Sequence, residues 1–456
     1  MDVKSTSFVQ WAALGLMALA LSARSGAQAP PARQTPKPLP PAVLLPSDLA
    51  ATEQTIRFLE NRIQHDPEDF IARNKLAGYY LQRVRETGDL TYLKLASHAA
   101  QASLATMPPE RNTGGLTALT QVELTSHDFV AARDHAKRLT ELEPDESYLY
   151  QLLGDAQLEL GEYDNAKEAF RQMERLGGIQ SLTRVAIEQR TARLAALRGD
   201  TDTASRSLQT ALMLALAMPV PPRETVAWCR WQLGETAFSF GDYAAAEQHY
   251  RDALTTFPDY FRALASLGRV RAARGDLAGA IEQYERAVYI LPDPTFVAAL
   301  GDLYKLKGRD RDAAAQYALV EAIAQLSASG ALYNRQQALF YADHDIKPQE
   351  AYANAAKEYA GRQDIYGADA VAWTALKAGK LPEAQAAMKK ALRLGTQDAR
   401  LFYHAGMIAQ AAGDKASARD YLKRTLTLCP QFDPLQASIA RKTSEERLKE
   451  NQHGAE

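Results

Sequence analysis

The phrase GDYAAAEQHYRDALTTFPD begins at Gly241, and GDLAGAIEQYERAVYILPD begins 34 residues later at Gly275. A phrase repeated at a fixed interval constrains the fold more than any composition can. Each copy must build the same supersecondary unit, and the copies must stack to bury what one unit leaves exposed. Looser copies begin at Gly161, Gly379 and Gly413. Each puts Gly first, a small residue five later, a large apolar residue nine later and commonly Ala twelve later. In the Gly275 copy these are Ala280, Tyr284 and Ala287. Their spacing of four and three residues is one face of a helix, which Pro292 closes because it lacks the N–H a further turn would need.

A second helical stretch precedes each Gly. Before Gly275 it is FRALASLGRVRAAR, with Leu264, Leu267, Gly268 and Arg271 on one face. Small Gly268 and Ala280 let two backbones approach, and Gly275 supplies the turn between them. The unit reads as helix, tight turn, helix, stop. This pattern resembles the tetratricopeptide repeat, whose period is about 34 residues. The matching residues from Phe261 onward are Leu264, Leu267, Gly268, Gly275, Ala280, Tyr284, Ala287 and Pro292. From Ala227 onward they are Leu233, Gly234, Gly241, Ala246, Tyr250, Ala253 and Pro258, with Arg230 departing from the expected bulky apolar residue.

Extending the phase predicts ten units over residues 67–432, beginning near 68, 113, 147, 185, 227, 261, 294, 332, 365 and 399. The first carries extra residues in VRETGDLTYLKLA. MPVPPRETV is an insert between the fourth and fifth, and DHDIKPQEA replaces the Gly turn of the eighth. Residues 48–66 read as an N-terminal capping helix and 433–456 as a C-terminal capping helix and tail, which an array needs to cover its end cores. The expected fold is all-α. The resemblance implies a right-handed α-solenoid of about ten helix pairs, making a full turn or slightly more, with the first helix of each pair on the concave side.

Outside the array the N-terminus reads as an export signal, residues 1–27. Lys4 precedes an uncharged run of 14 residues, Phe8 to Leu21, shorter than the ~20 residues a spanning helix needs. Ser25 and Ala27 offer small residues before a cleavage point at Gln28, and an uncleaved anchor is the alternative. Residues 28–47 form a Pro-rich linker; residues 30–46 hold seven of the chain's 21 prolines, a composition that favours extended polyproline II over packing.

The two cysteines, Cys229 and Cys429, fall in the fifth and tenth units. With stacked helices ~8–10 Å apart, five intervening units hold them far beyond the ~7 Å a disulfide allows, unless the coil closes on itself. They are read as unpaired thiols.

Lys and Arg number 53 against 55 Asp and Glu, with no basic run to mark a nucleic-acid footprint. The sequence has no P-loop, GxSxG, HExxH or paired CxxC, so no cofactor and no catalytic residue is assigned. The ADHD run places Asp343 and His344 next to one another, and adjacent helical residues diverge rather than converge on a metal. No metal is expected.

The aromatic residues of the first helices point to a partner. Trp228, Trp231 and Trp373 all lie there, at positions that by resemblance tend to face the concave groove. Phe238, Tyr366 and Tyr403 fall on comparable positions, as do Tyr148, Tyr333 and Phe340, and Asp369 lies beside Trp373. Aromatic anchors carry much of the binding energy of protein interfaces, although the same residues suit packing between units. Trp228, Trp231, Phe238, Tyr366, Asp369, Trp373 and Tyr403 form the candidate partner-binding set. Glu235, Arg269 and Asp302 share the ninth position of units five to seven and read as a solvated charged face. The last third, with Asp364, Tyr366, Asp369, Trp373, LGTQDA and YHAGMI, resembles a segment common in exported bacterial tetratricopeptide proteins of unknown function.

The expectation is a non-enzymatic scaffold, periplasmic or secreted, that binds a protein or peptide in its concave groove. The alternatives are an enzyme or enzyme accessory with a carboxylate/His344 site inside the superhelix, and an envelope assembly factor tethered by its N-terminus at the inner membrane.

Overall fold

The computed structural model describes residues 39–46, 49–178, 181–326 and 333–453, without the side chains of 181, 326 and 446–453. The signal and most of the linker therefore lie outside the described residues. Residues 41–456 form one compact unit, separate from residues 1–40, and all that follows concerns that unit.

Among the described residues every regular element is helical. Helix α1 (Leu49–His65) precedes ten consecutive pairs. They are α2 (Phe70–Thr87) with α3 (Leu90–Thr106), α4 (Thr113–Thr125) with α5 (Phe129–Leu142), and α6 (Ser147–Glu159) with α7 (Tyr163–Gly177). Then follow α8 (Ser181–Leu197) with α9 (Thr201–Leu216), α10 (Arg223–Ser239) with α11 (Tyr243–Thr256), and α12 (Phe261–Ala273) with α13 (Leu277–Ile290). The last four are α14 (Pro294–Leu306) with α15 (Asp310–Leu326), α16 (Asn334–Asp343) with α17 (Pro348–Gly361), α18 (Ile365–Lys377) with α19 (Leu381–Ala391), and α20 (Ala399–Ala411) with α21 (Lys415–Leu428). Helix α22 (Gln436–His453) closes the array.

Local chemistry explains each pair. Asp200, Asp242, Asp276 and Asp414 follow the turn glycines and accept the backbone N–H three residues on, capping the second helices. Helices α11 and α13 stop two residues before Pro258 and Pro292, because the residue ahead of a proline is steered out of the α region. Five of the pairs close on one recurrent contact. A Cβ added at Gly268 would stand 2.6 Å from the Tyr284 ring, and Gly154 with Phe170, Gly234 with Tyr250, Gly301 with Tyr317 and Gly406 with Leu422 repeat that relation. The large residue of the second helix thus lies flat on the first, which is why the sequence alternates a glycine with a bulky residue at this phase.

Three local readings change. The insert before the fifth pair is only half a loop: Arg223 to Val226 add a turn to the start of α10. In the eighth pair Asp345 (φ 55°) and Lys347 (φ 44°) adopt the left-handed conformation usually left to glycine. Arg230 occupies its bulky apolar slot fully buried, its Nη1 3.2 Å from Asp252 of α11.

The largest departure is the path of the solenoid. First helices of successive pairs touch, α2 on α4, α4 on α6, α10 on α12, α14 on α16, α16 on α18 and α18 on α20. This tight inner layer curls so strongly that the coil meets itself. The tight turns of early pairs abut the connections between late ones. Gly88 faces Leu291, Gly161 the Gln363 carbonyl, Gly199 the Gly395 carbonyl and Gly241 Pro430. Tyr163 Oη accepts the Ile365 N–H at 2.9 Å, Tyr243 Oη accepts the Gln431 N–H at 2.8 Å, and Thr396 Oγ1 donates to the Leu197 carbonyl. One core cluster accordingly mixes Tyr163, Phe170 and Met173 with Ile365, Met388 and Leu401.

Closure also corrects the cysteine geometry. Cys429 Sγ donates to the Phe238 carbonyl at 3.2 Å, on the helix that carries Cys229. Nine residues of α10 amount to ~13 Å along its axis, so the five intervening pairs do not hold the thiols tens of ångströms apart. Both are free and buried, and burial pushes the Cys229 thiol up to about 12.

Candidate functional site

The first helices wall two cavities on the concave side. The first, about 460 Å3, is lined by Arg85 of α2, Leu124 of α4, Asp155 and Glu159 of α6, Arg190 and Arg193 of α8, and Glu224 and Trp228 of α10. Arg362, from the end of α17 in the second turn of the coil, completes it. A smaller pocket of about 150 Å3 shares Glu159, Arg193 and Arg362 and adds Tyr163, Asp364 and Tyr366. The second cavity, about 490 Å3, lies between α10, α12, α14 and α16, and residues 398–400 and 429–434 of the second turn form its far wall. Neither cavity would have this lining if the coil stayed open.

The charges on these walls are paired at the repeat period. Glu159 bonds Arg193 and Glu235 bonds Arg269, each 34 residues on, and Asp155 takes Nε and Nη2 of Arg190, 35 residues on, at 3.1 and 2.6 Å. Glu235 and Arg269 are equivalent positions on neighbouring first helices, whereas between α6 and α8, whose turn glycines Gly161 and Gly199 are 38 residues apart, the pairs join positions offset by about one helical turn. The ninth-position charges are therefore bonded rather than a solvated face, Glu235 to Arg269 and Asp302 to His344. Glu235 also accepts Ser266 Oγ at 2.7 Å and Tyr250 Oη at 2.8 Å. Burial works to raise its carboxyl, but the Arg269 charge and these donors hold it low. Glu159 shows the stronger form: against the cost of burial, Arg193 and Arg362 hold its carboxyl down to about 2.

His344 is spoken for. Its Nε2 lies 2.7 Å from Asp302 and its Nδ1 2.8 Å from the Phe340 carbonyl, both acceptors. Burial opposes its charge, yet Asp302 and that carbonyl outweigh burial and raise its pKa. Both ring nitrogens of His344 face acceptors, so neither is left open towards a ligand in the cavity. Asp343 points elsewhere, accepting Trp373 Nε1 at 2.8 Å and Gln436 Nε2 at 2.5 Å, so the two neighbours diverge. Among the described residues no three His, Cys, Asp or Glu side chains gather as metal ligands.

The candidate partner-binding residues separate into two groups. Trp228 faces the first cavity, and Tyr366, 40% exposed, faces the smaller pocket. Half-buried Trp231 donates its Nε1 to Ser266 at 2.9 Å. Phe238 must be corrected: it is 4% exposed, as buried as Asp369, and packs in one core cluster with Trp373 and Tyr403, reaching only the wall of the second cavity. So must the other three. Trp373 and Tyr403 are each 2% exposed and Asp369 is 4% exposed. Trp373 stacks on His404 at 4.3 Å and packs on Tyr403, which packs on Phe432, while Asp369 accepts His404 Nδ1 at 2.8 Å. The closing pair and the segment leading into α22 cover positions that open onto the lumen in earlier pairs.

Sequence reasoning passed over Asp398, Arg400 and Asp433 in the second cavity. The signal available was modest: Asp398 and Asp433 each stand just before a helix, Asp398 as N-cap of α20, and only ring closure brings them to a common wall.

Tetratricopeptide repeats are matched at residues 147–175, 232–294 and 371–431. No curated protein matches the chain. Among solved structures, PilW, a type IV pilus biogenesis factor, is similar at 18% identity, over 45% of this chain and 91% of that one, with a TM-score of 0.37. A tetratricopeptide repeat protein from Parabacteroides merdae is similar at 16% identity over 58% and 99%, TM-score 0.34. The Cut9–Hcn1 assembly of the APC/C is similar at 13% identity over 87% and 94%, TM-score 0.33.

Proposed function

We propose that this repeat protein is a non-catalytic scaffold of the bacterial cell envelope that holds a segment of a protein partner inside its curled array. Tetratricopeptide repeats support protein–protein interaction as the general role. The observation that carries the reading is the lumen: cavities of about 460 and 490 Å3 walled by first helices, with half-buried Trp228 on the wall of the first and Tyr366 on the smaller pocket beside it. Rigid aromatic side chains in a concave, partly desolvated site are efficient anchors. The paired charges give the walls fixed donors and acceptors for a peptide backbone. The acid–base alternative loses its histidine, because His344 has no free nitrogen.

The envelope assignment rests on residues 1–27, with their apolar run and small residues before Gln28. Among the described residues no helix is long and apolar enough to cross a membrane.

A photo-crosslinking residue at Trp228 or Tyr366 tests the binding reading in the native cell, with Tyr289, 91% exposed on a second helix, as control. Partner adducts from the two lumenal positions and not from Tyr289 support it; adducts from Tyr289 alone refute it. N-terminal sequencing tests the location. Gln28 as the first residue means export with cleavage, whereas intact Met1 in the membrane fraction means an anchor.

A further inference from the structure

The second cavity carries a chemical preference. Its walls are mixed: Phe238, Phe296, Leu303, Leu339, Phe340 and Phe432 supply apolar surface beside the Glu235–Arg269 and Asp302–His344 pairs. Three further carboxylates on its wall, Asp343, Asp398 and Asp433, act on the guanidinium of Arg400. Arg400 makes its ion pair with Asp433 at 3.1 Å. Among the described residues neither Asp343 nor Asp398 has a cation within ion-pair distance; Asp343 accepts Trp373 and Gln436, and Asp398 accepts the N–H groups of Arg400 and Leu401. The other acidic groups of the cavity are matched, Glu235 by Arg269 and Asp302 by His344.

A chamber that offers an aromatic and aliphatic surface beside carboxylates with no ion-pair partner is complementary to a group with an apolar stem and a cationic head. Lys and Arg side chains have that construction, and the cavity is within the roughly 300–1,000 Å3 typical of ligand sites. We propose that it receives a basic side chain of the bound segment, its stem against Phe340 and Phe432 and its charge at Asp343 and Asp398. The proposal rests on the binding reading above and supplies its specificity. Because Asp398 and Asp433 belong to the second turn of the coil, the recognition site exists only when the coil is closed.

Burial raises the carboxyls of both Asp343 and Asp398. For an acid, a raised folded-state pKa means a penalty that is absent at low pH and fully present above the raised value. Wherever these carboxyls are ionised they therefore carry a burial cost, which a bound cation offsets. Replacing either by Asn should stabilise the protein while removing the preference. Asn at 398 also keeps the helix cap.

The test uses the mature chain and three capped peptides, Ala-Leu-X-Leu-Ala with X as Lys, Gln or Glu, titrated calorimetrically at physiological salt. The Lys peptide should bind at least tenfold more tightly than the Gln peptide, and the Glu peptide weakest. Asp343→Asn and Asp398→Asn should each erase most of that tenfold preference and raise the melting temperature at pH 7. Equal binding of all three peptides overturns the basic-residue assignment and leaves peptide binding standing. Absence of binding by all three overturns this cavity as the site, and the crosslinks from Trp228 then decide separately whether the lumen binds at all. A loss of stability in both Asn variants would make the carboxylates structural and also overturn the proposal.

Discussion

Tyr163 and Ile365 are 202 residues apart in sequence, and the hydroxyl of the first accepts the backbone N–H of the second at 2.9 Å. Ile365 is the first residue of α18, so its N–H has no acceptor within its own helix. Its side chain is fully buried, and the seam between the two turns of the coil supplies the missing acceptor. Tyr243 does the same for Gln431. Both tyrosines open a second helix just after a turn glycine, so the repeat unit itself presents the group that closes the coil.

The turn glycines report on that seam. A Cβ at Gly161 (φ +78°) would stand 2.3 Å from the Gln363 carbonyl, whereas at Gly275 (φ +87°) it meets nothing within 4 Å. Gly275→Ala should cost only the left-handed conformation, ~1–2 kcal/mol. Gly161→Ala should cost that and a further ~1–3 kcal/mol of overpacking. Equal losses in denaturant melts would mean that the seam does not form.

Acid should loosen the seam through Glu159. Its carboxyl is lowered from 4.5 to about 2, so its stabilising contribution is present above pH ~4.5 and lost as pH falls towards 2. A shift of that size corresponds to ~3 kcal/mol. The Glu159→Gln variant should be less stable than the parent at pH 7 and should approach it at pH 2–3. Parallel stability curves for the two proteins across that range would contradict this role.

Arg230 is a departure from the repeat pattern that the fold tolerates. Burial lowers its pKa, and Asp252 is its ion-pair partner. Exchanging a buried ion pair for well-packed hydrocarbon is often neutral or stabilising, and Asp252, 22% exposed, can still reach water. Arg230→Leu should therefore match or exceed the parent in melting temperature, while Arg230→Ala, which leaves a cavity, should fall by ~2 kcal/mol or more.

What the sequence made legible was whatever repeats. The turn glycines, the Gly268–Tyr284 contact, the helix stops at Pro258 and Pro292 and the helix pairs all follow from local spacing. The Glu235–Arg269 pair was legible in principle, since both stand six residues before a turn glycine. Glu159 and Arg193 are 34 residues apart in units offset by 38, so their pairing was not. Nor was closure. The contacts of Tyr163, Tyr243 and Gly161 lie two hundred residues away in connections that share no motif. For the same reason the burial of Trp373 was hidden: its position opens onto the lumen in α10 and α12, but in α18 it meets His404 and Gln436 brought by the end of the array.

That contrast separates two tryptophans that the repeat phase treats alike. Trp373→Ala should cost ~3–5 kcal/mol, the range for a buried aromatic. Trp228→Ala, at a residue half-buried against the cluster of Phe257 and Tyr260, should cost less stability than Trp373→Ala and weaken partner binding by ~2 kcal/mol or more. A large drop in stability at Trp228 with unchanged affinity per folded molecule would place it in the core instead.

Hydrogen exchange at two amides tests the closed coil most directly. In an open solenoid Ile365, at the first position of α18, and Gln431, outside any helix, have no acceptor and should exchange within the time of a mobile loop. In the closed coil both are held by tyrosine hydroxyls, so they should be protected like the central amides of α18. Tyr163→Phe should release Ile365 while leaving Gln431 protected. Rapid exchange of both amides in the parent protein would contradict the closed lumen and the binding site built on it.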